Sequence, residues 1–180
     1  VSKNGPLQPG ESYTKQTTVS VPRDIAGNFY VFLITDSESQ VFEHTSEENN
    51  ILATDSTMGV TAPDLEPFEL VLPTNANSGK PFSLSYVIEN HGPGDVIDRN
   101  WKDKIYLSQN ETLDTTSAQE LQTFGRSSTI AAGSTVVAEE TVNMPQGISG
   151  AFYVFVVLDA GSAVFEAPAE NNNLIRSNAP

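Results

Sequence analysis

One segment of this chain is written twice, and that constrains the fold more than any other feature. Leu7 opens LQPGESYTKQTTVSVPRDIAGNFYVFLITDSESQVFEHTSEENNI, and Ile130 opens IAAGSTVVAEETVNMPQGISGAFYVFVVLDAGSAVFEAPAENNNL. An offset of 130 − 7 = 123 superposes the two without a gap. Gly10 then falls on Gly133, Pro22 on Pro145 and Gly27 on Gly150. Phe29-Tyr30-Val31-Phe32 falls on Phe152-Tyr153-Val154-Phe155, and Asp36 on Asp159. Val41-Phe42-Glu43 matches Val164-Phe165-Glu166, and Asn49-Asn50 matches Asn172-Asn173. A period this long belongs to an array of whole domains, since solenoid repeats run to about 20–50 residues. Residues 62–129 have no counterpart ahead of residue 1. Residues 1–57 are therefore expected to be the back half of one repeat, and residues 58–180 a complete one. Ser177-Asn178-Ala179-Pro180 resembles the Gly59-Val60-Thr61-Ala62-Pro63 approach to the second repeat, so the chain is expected to be a piece of a longer tandem protein.

Hydrophobic periodicity points to strands. Over residues 135–144, Val136, Ala138, Val142 and Met144 share one face and Thr135, Glu139, Thr141 and Asn143 the other, with Val137 and Glu140 breaking the pattern. That alternation marks a strand with one wet face. Phe82, Leu84, Tyr86 and Ile88 alternate in the same way. Residues 152–158 are continuously apolar between Gly150 and Asp159, as in a central strand covered on both faces. Gly92-Pro93-Gly94, Asn77-Ser78-Gly79, Pro145-Gln146-Gly147 and Gly161-Ser162 punctuate the runs as turns. The pattern predicts an all-β chain of immunoglobulin-like antiparallel β-sandwiches, about seven strands per complete repeat, in tandem. The expected core is Phe82, Leu84, Trp101, Ile105, Leu107, Val142, Phe152, Val154 and Val164. Residues 116–121 are the one candidate helical turn. In the first copy, strands are expected at residues 13–21, 29–35, 40–42 and 51–54. Residues 52–63 read as a linker with little regular structure, joining repeats that touch over a small area. Residues 29–34 are apolar on both faces, so half a sandwich would leave a face and several ladder edges bare.

Charge narrows the function classes. A net charge of −14 opposes nucleic acid, whose phosphates need a basic surface, and opposes anionic membranes. No stretch reaches the roughly 18 uninterrupted apolar residues of a membrane span, so membrane insertion is not expected. Zero cysteines removes disulfides, thiolate metal sites and thiol catalysis.

Candidate chemistry is sparse. The two histidines are His44, which stands where the other copy has Ala167, and His91, in a Glu-Asn-His-Gly turn. No G-x-S-x-G elbow and no phosphate-cradling glycine loop occurs. The acid pairs Glu139-Glu140 and Glu47-Glu48 suggest no cleft. Calcium is the one metal worth weighing, because hard oxygen ligands abound. Asn110 and Asp114 cluster after a strand, and Glu47, Glu48 and Asp64 lie near the joint between repeats. Neither set has EF-hand spacing, so solvated acidic loops remain the default and no cofactor is expected.

The second repeat runs Ala62-Pro63-Asp64-Leu65, Val87-Ile88-Glu89-Asn90-His91-Gly92, Trp101-Lys102-Asp103-Lys104-Ile105-Tyr106-Leu107-Ser108 and Leu113-Asp114. It continues with Ala131-Ala132-Gly133, Gly150-Ala151-Phe152-Tyr153-Val154, Asp159, Val164-Phe165-Glu166 and Glu170-Asn171-Asn172. In this order it resembles the CARDB family, the cell-adhesion-related domain found in bacteria. The resemblance covers residues 62–178, and residues 7–51 match its back half. It implies a seven-stranded immunoglobulin-like sandwich on secreted or surface proteins of bacteria and archaea, serving as adhesive module or spacer. Physical chemistry gives these residues structural roles. Trp101 is expected to fill the layer of about 10 Å between sheets, with Ile105, Tyr106 and Leu107 on its strand. Asn90 and Gly92 suit a turn that needs side-chain capping and positive φ. Phe152 and Tyr153 open a core strand, and Asp159 and Glu166 flank the turn at Gly161-Ser162. Asn172 and Asn173 are expected to hold the closing backbone by side-chain hydrogen bonds.

Three function classes follow. The favoured reading is a non-catalytic extracellular structural or adhesion module whose partners are other repeats, a complementing chain, or a protein or glycan ligand. The second is a carbohydrate-binding accessory module attached to an enzyme, which would call for Trp101 or Tyr106 exposed in a shallow groove. The third is an enzyme, which would need a pocket joining His91 to a buried carboxylate.

Overall fold

The alternating runs at residues 82–88 and 135–144 each have one apolar face to cover, and they cover it by lying side by side. The computed structural model describes residues 7–97, 99–167 and 170–180, with the backbone alone at residue 47. The strands are β1 (Gly27–Phe29), β2 (Phe32–Ile34), β3 (Ile51–Ala53), β4 (Met58–Val60), β5 (Leu65–Val71) and β6 (Pro81–Asn90). There follow β7 (Trp101–Ser108), β8 (Gln119–Arg126), β9 (Thr135–Asn143), β10 (Tyr153–Val157) and β11 (Leu174–Arg176). A single 3-10 turn at Glu47–Asn49 is the only helical element among the described residues. No helix there is long and apolar enough to cross a membrane.

The chain is all-β, and β5 to β11 form an antiparallel immunoglobulin-like sandwich. One sheet has the order β5-β6-β9 and the other β11-β10-β7-β8. Phe82 pairs with Val142, Tyr86 with Ala138 and Ile88 with Val136, which turns one apolar face inward. Leu107 pairs with Val154 and Ile105 with Val156 on the facing sheet. Between them lies a single core that includes Leu65, Phe82, Leu84, Trp101, Ile130, Val142 and Val164. Glu140 occupies an inward position of β9, which explains the break it makes in the alternation.

Several expectations need correction. Phe152 is half-buried, because the ladder begins one residue later and Phe152 packs at the open end of the core beside Phe82 and Met144. Residues 116–121 form no helix: one turn closes at residues 114–118, where Ala118 N donates to Asp114 O at 2.8 Å, and it goes no further. The Asp114 carboxylate accepts from Thr116 N and from the Thr116 and Ser117 hydroxyls, fixing a short turn. Gln119 then pairs with Leu107 and starts β8, because a waiting ladder edge outweighs weak local helix preference. Residues 52–63 are not irregular either, since β4 pairs with β1 through Gly27↔Val60 and Phe29↔Met58.

The first copy of the repeated segment keeps only part of its expected structure. Residues 1–6 lie outside the described residues. β2 pairs with β3 as Phe32↔Ala53, Leu33↔Leu52 and Ile34↔Ile51. Adding 123 gives Phe155↔Arg176, Val156↔Ile175 and Val157↔Leu174, the register of β10 with β11. The strands expected at residues 13–21 and 40–42 are absent, and the one expected at 29–35 is split into β1 and β2. Residues 12–20 correspond to β9, which is a strand because β6 holds it along its length. Among the described residues no element in the position of β6 lies beside residues 12–20, so alternation there finds no ladder.

Candidate functional site

The polar side chains with the most unusual surroundings gather where the chain comes into the sandwich. Asn90 closes β6, opposite Leu65, and is fully buried. Its Oδ1 accepts from Asp64 N at 3.0 Å and Gly92 N at 3.1 Å. Its Nδ2 donates to Gly94 O at 2.8 Å and Ile130 O at 3.1 Å. A carboxamide offers both a donor and an acceptor, so one side chain fastens three loops at once. Gly92 is needed for a reason other than positive φ. A Cβ there would stand 2.5 Å from Asp64 N and from the Pro63 carbonyl carbon, so only glycine lets the two backbones meet.

A second group ties the first strand to the last hairpin. Glu166, also buried, accepts from Leu65 N through Oε1 and from Asn173 Nδ2 through Oε2, each at 2.7 Å. Asn172 Nδ2 donates to Asp64 Oδ1 at 2.8 Å. β5 and β11 belong to different sheets, so these bonds close the sandwich across its seam. Burial pushes the Glu166 carboxyl up to about 7 from an ordinary 4.5, against the pull of the Asn173 and Leu65 donors, and the Glu170 and Asp159 charges add to the rise. Asp159 turns the chain after β10, accepting from Ala163 N at 2.9 Å and Val164 N at 2.7 Å.

Inside the sandwich lies a charged network that sequence reasoning missed. Tyr86 on β6 donates to Asp103 Oδ2 on β7 at 2.9 Å, and Arg126 Nε on β8 donates to the same oxygen at 2.7 Å. Arg126 also meets Glu140 Oε1 on β9 at 2.7 Å. Burial raises the Asp103 carboxyl above its usual range against the opposing effect of Arg126. Burial, with the Asp103 charge next, raises the Tyr86 phenol. The one signal was Glu140 on an inward face. Asp103 lies within the tryptophan-strand motif, and nothing in the sequence singles out Arg126 as its partner.

The remaining candidates are scattered. Trp101 and Tyr106 are buried, so neither lies open as a sugar-stacking platform would. Tyr153 is half-buried, and its hydroxyl donates to Glu111 Oε1 at 3.1 Å. Asp114 spends its oxygens on its own turn, and Asp64 accepts from Asn172. Asn110 and Glu48 are exposed, and the Glu47 side chain lies outside the described residues. Among the described residues no three carboxylate or imidazole groups gather as a metal ion would need. His91 Nε2 lies 3.2 Å from Glu89 Oε2 and 3.5 Å from Glu66 Oε2, and all three side chains reach solvent. Beside this pole, a groove of about 300 Å³ runs between residues 21–25 and the loop at residues 95–97, and the Arg99–Asp24 ion pair spans it. The carboxylates of Asp103, Asp159 and Glu166 all end on protein donors, so their chemistry is spent on holding strands and loops.

The profile of the CARDB family matches residues 62–176. Among solved structures, a crystal structure of the CARDB domain of a Pyrococcus furiosus protein in complex with di-metal ions is 16% identical, covering 66% of this chain and 93% of that one, with a TM-score of 0.47. A solution NMR structure of the same domain is 19% identical over 65% of this chain and 93% of its own, with a TM-score of 0.45. β-glucosidase 3B from Thermotoga neapolitana in complex with glucose is 12% identical over 66% of this chain and 17% of its own, with a TM-score of 0.41. No curated protein matches the chain.

Proposed function

Because the chain belongs to the CARDB family, we propose that it is a non-catalytic module of a larger repeated protein on the surface of, or secreted by, a bacterium or archaeon. There it acts as a spacer or protein-interaction domain. The family suggests an adhesion-like module of extracellular proteins. One observation carries the spacer role: the chain comes in and leaves at opposite poles. Leu65 stands opposite Asn90 at one end of the three-stranded sheet. After β11 the chain departs from the other end, where Ser177 N donates to Val154 O and Ala179 lies near Phe82 and Phe152. Units of this form, joined end to end, add length with every copy.

Force spectroscopy on the full chain, tethered at its two ends, tests this. The matched region spans 176 − 62 + 1 = 115 residues. At about 3.4 Å per extended residue it should release roughly 350–400 Å of contour in one cooperative step. Gradual extension without a step would refute a load-bearing spacer. Binding on a glycan array that saturates at low concentration would favour the accessory-module reading instead.

A further inference from the structure

The two copies of the repeated segment carry similar residues in opposite surroundings. Phe155 is 1% exposed and its counterpart Phe32 63%, while Val142 is 0% exposed and its counterpart Val19 75%. Val31, Leu33 and Val41 lie exposed where Val154, Val156 and Val164 are buried. The copies do not differ in local structure at their shared hairpin. β2 and β3 pair in the register of β10 and β11. Asp36 accepts from Gln40 N and Val41 N, as Asp159 does from Ala163 N and Val164 N. What differs is the neighbour. The second edge of β10 is taken by β7, through Tyr153↔Ser108, Phe155↔Tyr106 and Val157↔Lys104. β9 is held by β6. Both partner strands come from residues 62–129, and neither β2 nor residues 12–20 has such a strand beside it among the described residues.

We propose that the first copy is the docking surface for the front half of another repeat of this family, a segment with the strand pattern of residues 62–129. Its tryptophan strand adds antiparallel to β2, placing the residue in the Tyr106 position opposite Phe32 and that in the Ile105 position opposite Leu33. Its preceding strand runs antiparallel to residues 12–20 and turns them into the counterpart of β9. Strand addition satisfies the open edge and sets the residue in the Tyr106 position beside Phe32, and the facing sheet covers Val31, Leu33 and Val19, whose counterparts Val154, Val156 and Val142 lie in the core. A second copy of this chain is not the occupant. Its own front half is engaged along β6–β9 and β7–β10, and lending it would open a finished sandwich. The inference rests on the modular reading but not on the adhesive or load-bearing role.

The test joins a copy of residues 62–129 ahead of Leu7, as the native stretch precedes Ile130, and compares this extended chain with the 180-residue chain by amide hydrogen exchange and light scattering. In the extended chain, amides of residues 12–20 and 29–34 should slow by about 100-fold or more, because closing a domain moves them from local to global opening. The protein should stay monomeric, and residues 153–157 should not change. Ile105→Asp in the added copy alone should abolish the new protection and leave residues 153–157 protected. Residues 29–34 exchanging as in the original chain would overturn the proposal, as would protection that survives the Asp substitution. Protection in the original chain that rises with concentration would assign the surface to a second copy and also overturn it. A stepless force curve for residues 62–176 would refute the spacer reading and leave this pairing standing.

Discussion

Replacing Asn90 by alanine should be among the most damaging single changes in the sandwich. The side chain makes four hydrogen bonds, to Asp64 N, Gly92 N, Gly94 O and Ile130 O, and is fully buried. Each such bond contributes about 1 kcal/mol net, and partners left buried without a substitute cost about 1–3 kcal/mol each. Gly92, Gly94 and Ile130 are buried, while Asp64 is half-buried and regains some water. A loss of about 3–5 kcal/mol follows, a large part of the roughly 5–15 kcal/mol that holds a domain together. Urea unfolding followed by tryptophan fluorescence reads it directly, since Trp101 is the only tryptophan and sits in the same core. With a slope of about 1–3 kcal/mol per molar, the midpoint should fall by roughly 2 M at unchanged slope. Asn90→Asp should be at least as harmful near neutrality, because an oxygen would then face the Gly94 and Ile130 carbonyls. A midpoint shift below about 0.5 M for the alanine variant would refute the claim that this amide fastens the pole.

Glu166 should give stability a pH dependence. Its carboxyl titrates near 7 when folded and near 4.5 otherwise, so the folded state holds the proton more tightly. Stability is therefore greatest below about pH 4.5 with respect to this group and declines as pH rises to about 7. The full decline is at most roughly 3 kcal/mol, at about 1.4 kcal/mol per tenfold change in proton affinity. Glu166→Gln should flatten urea midpoints measured between pH 5 and 8, and an unaltered slope would exclude Glu166 as the source. Val142→Ala should lower the Trp101-reported stability by about 2 kcal/mol, whereas Val19→Ala at the matching place in the first copy should change it by less than about 0.5 kcal/mol. Gly92→Ala should destabilise by several kcal/mol, because its Cβ meets backbone that has no rotamer to escape through, and a near-neutral midpoint would refute that.

Most of the sandwich was legible because its strands advertise their faces. Phe82, Leu84, Trp101, Ile105, Leu107 and Val142 sit in the core as alternation places them, and Val154 and Val164 lie there as expected too. β8 was hidden, since QELQTFGR carries little apolar alternation and becomes a strand on the edge of β7. At the pole, the capping role of Asn90 could be read from its turn. The Glu166–Leu65 bond joins positions 101 residues apart, and nothing local points from one to the other. The Tyr86–Asp103–Arg126–Glu140 network was illegible for the same reason, because its four members come from four strands of two sheets.

The repeated segment separates the two kinds of information. Asp36 and Asp159 build the same turn, with positive φ at Asp36, Ser39, Asp159 and Ser162. The hairpins beside them share one register. These features reach only a few residues or across a single connection, so the sequence determines them wherever the segment stands. Residues 12–20 and β9 have matching patterns, yet only the latter is a strand, and Phe32 and Phe155 differ in burial although both are phenylalanine. Alternation says which face wants covering. Whether a ladder and a core exist depends on strands brought from residues 62–129, because backbone hydrogen bonds and apolar burial each need a second surface.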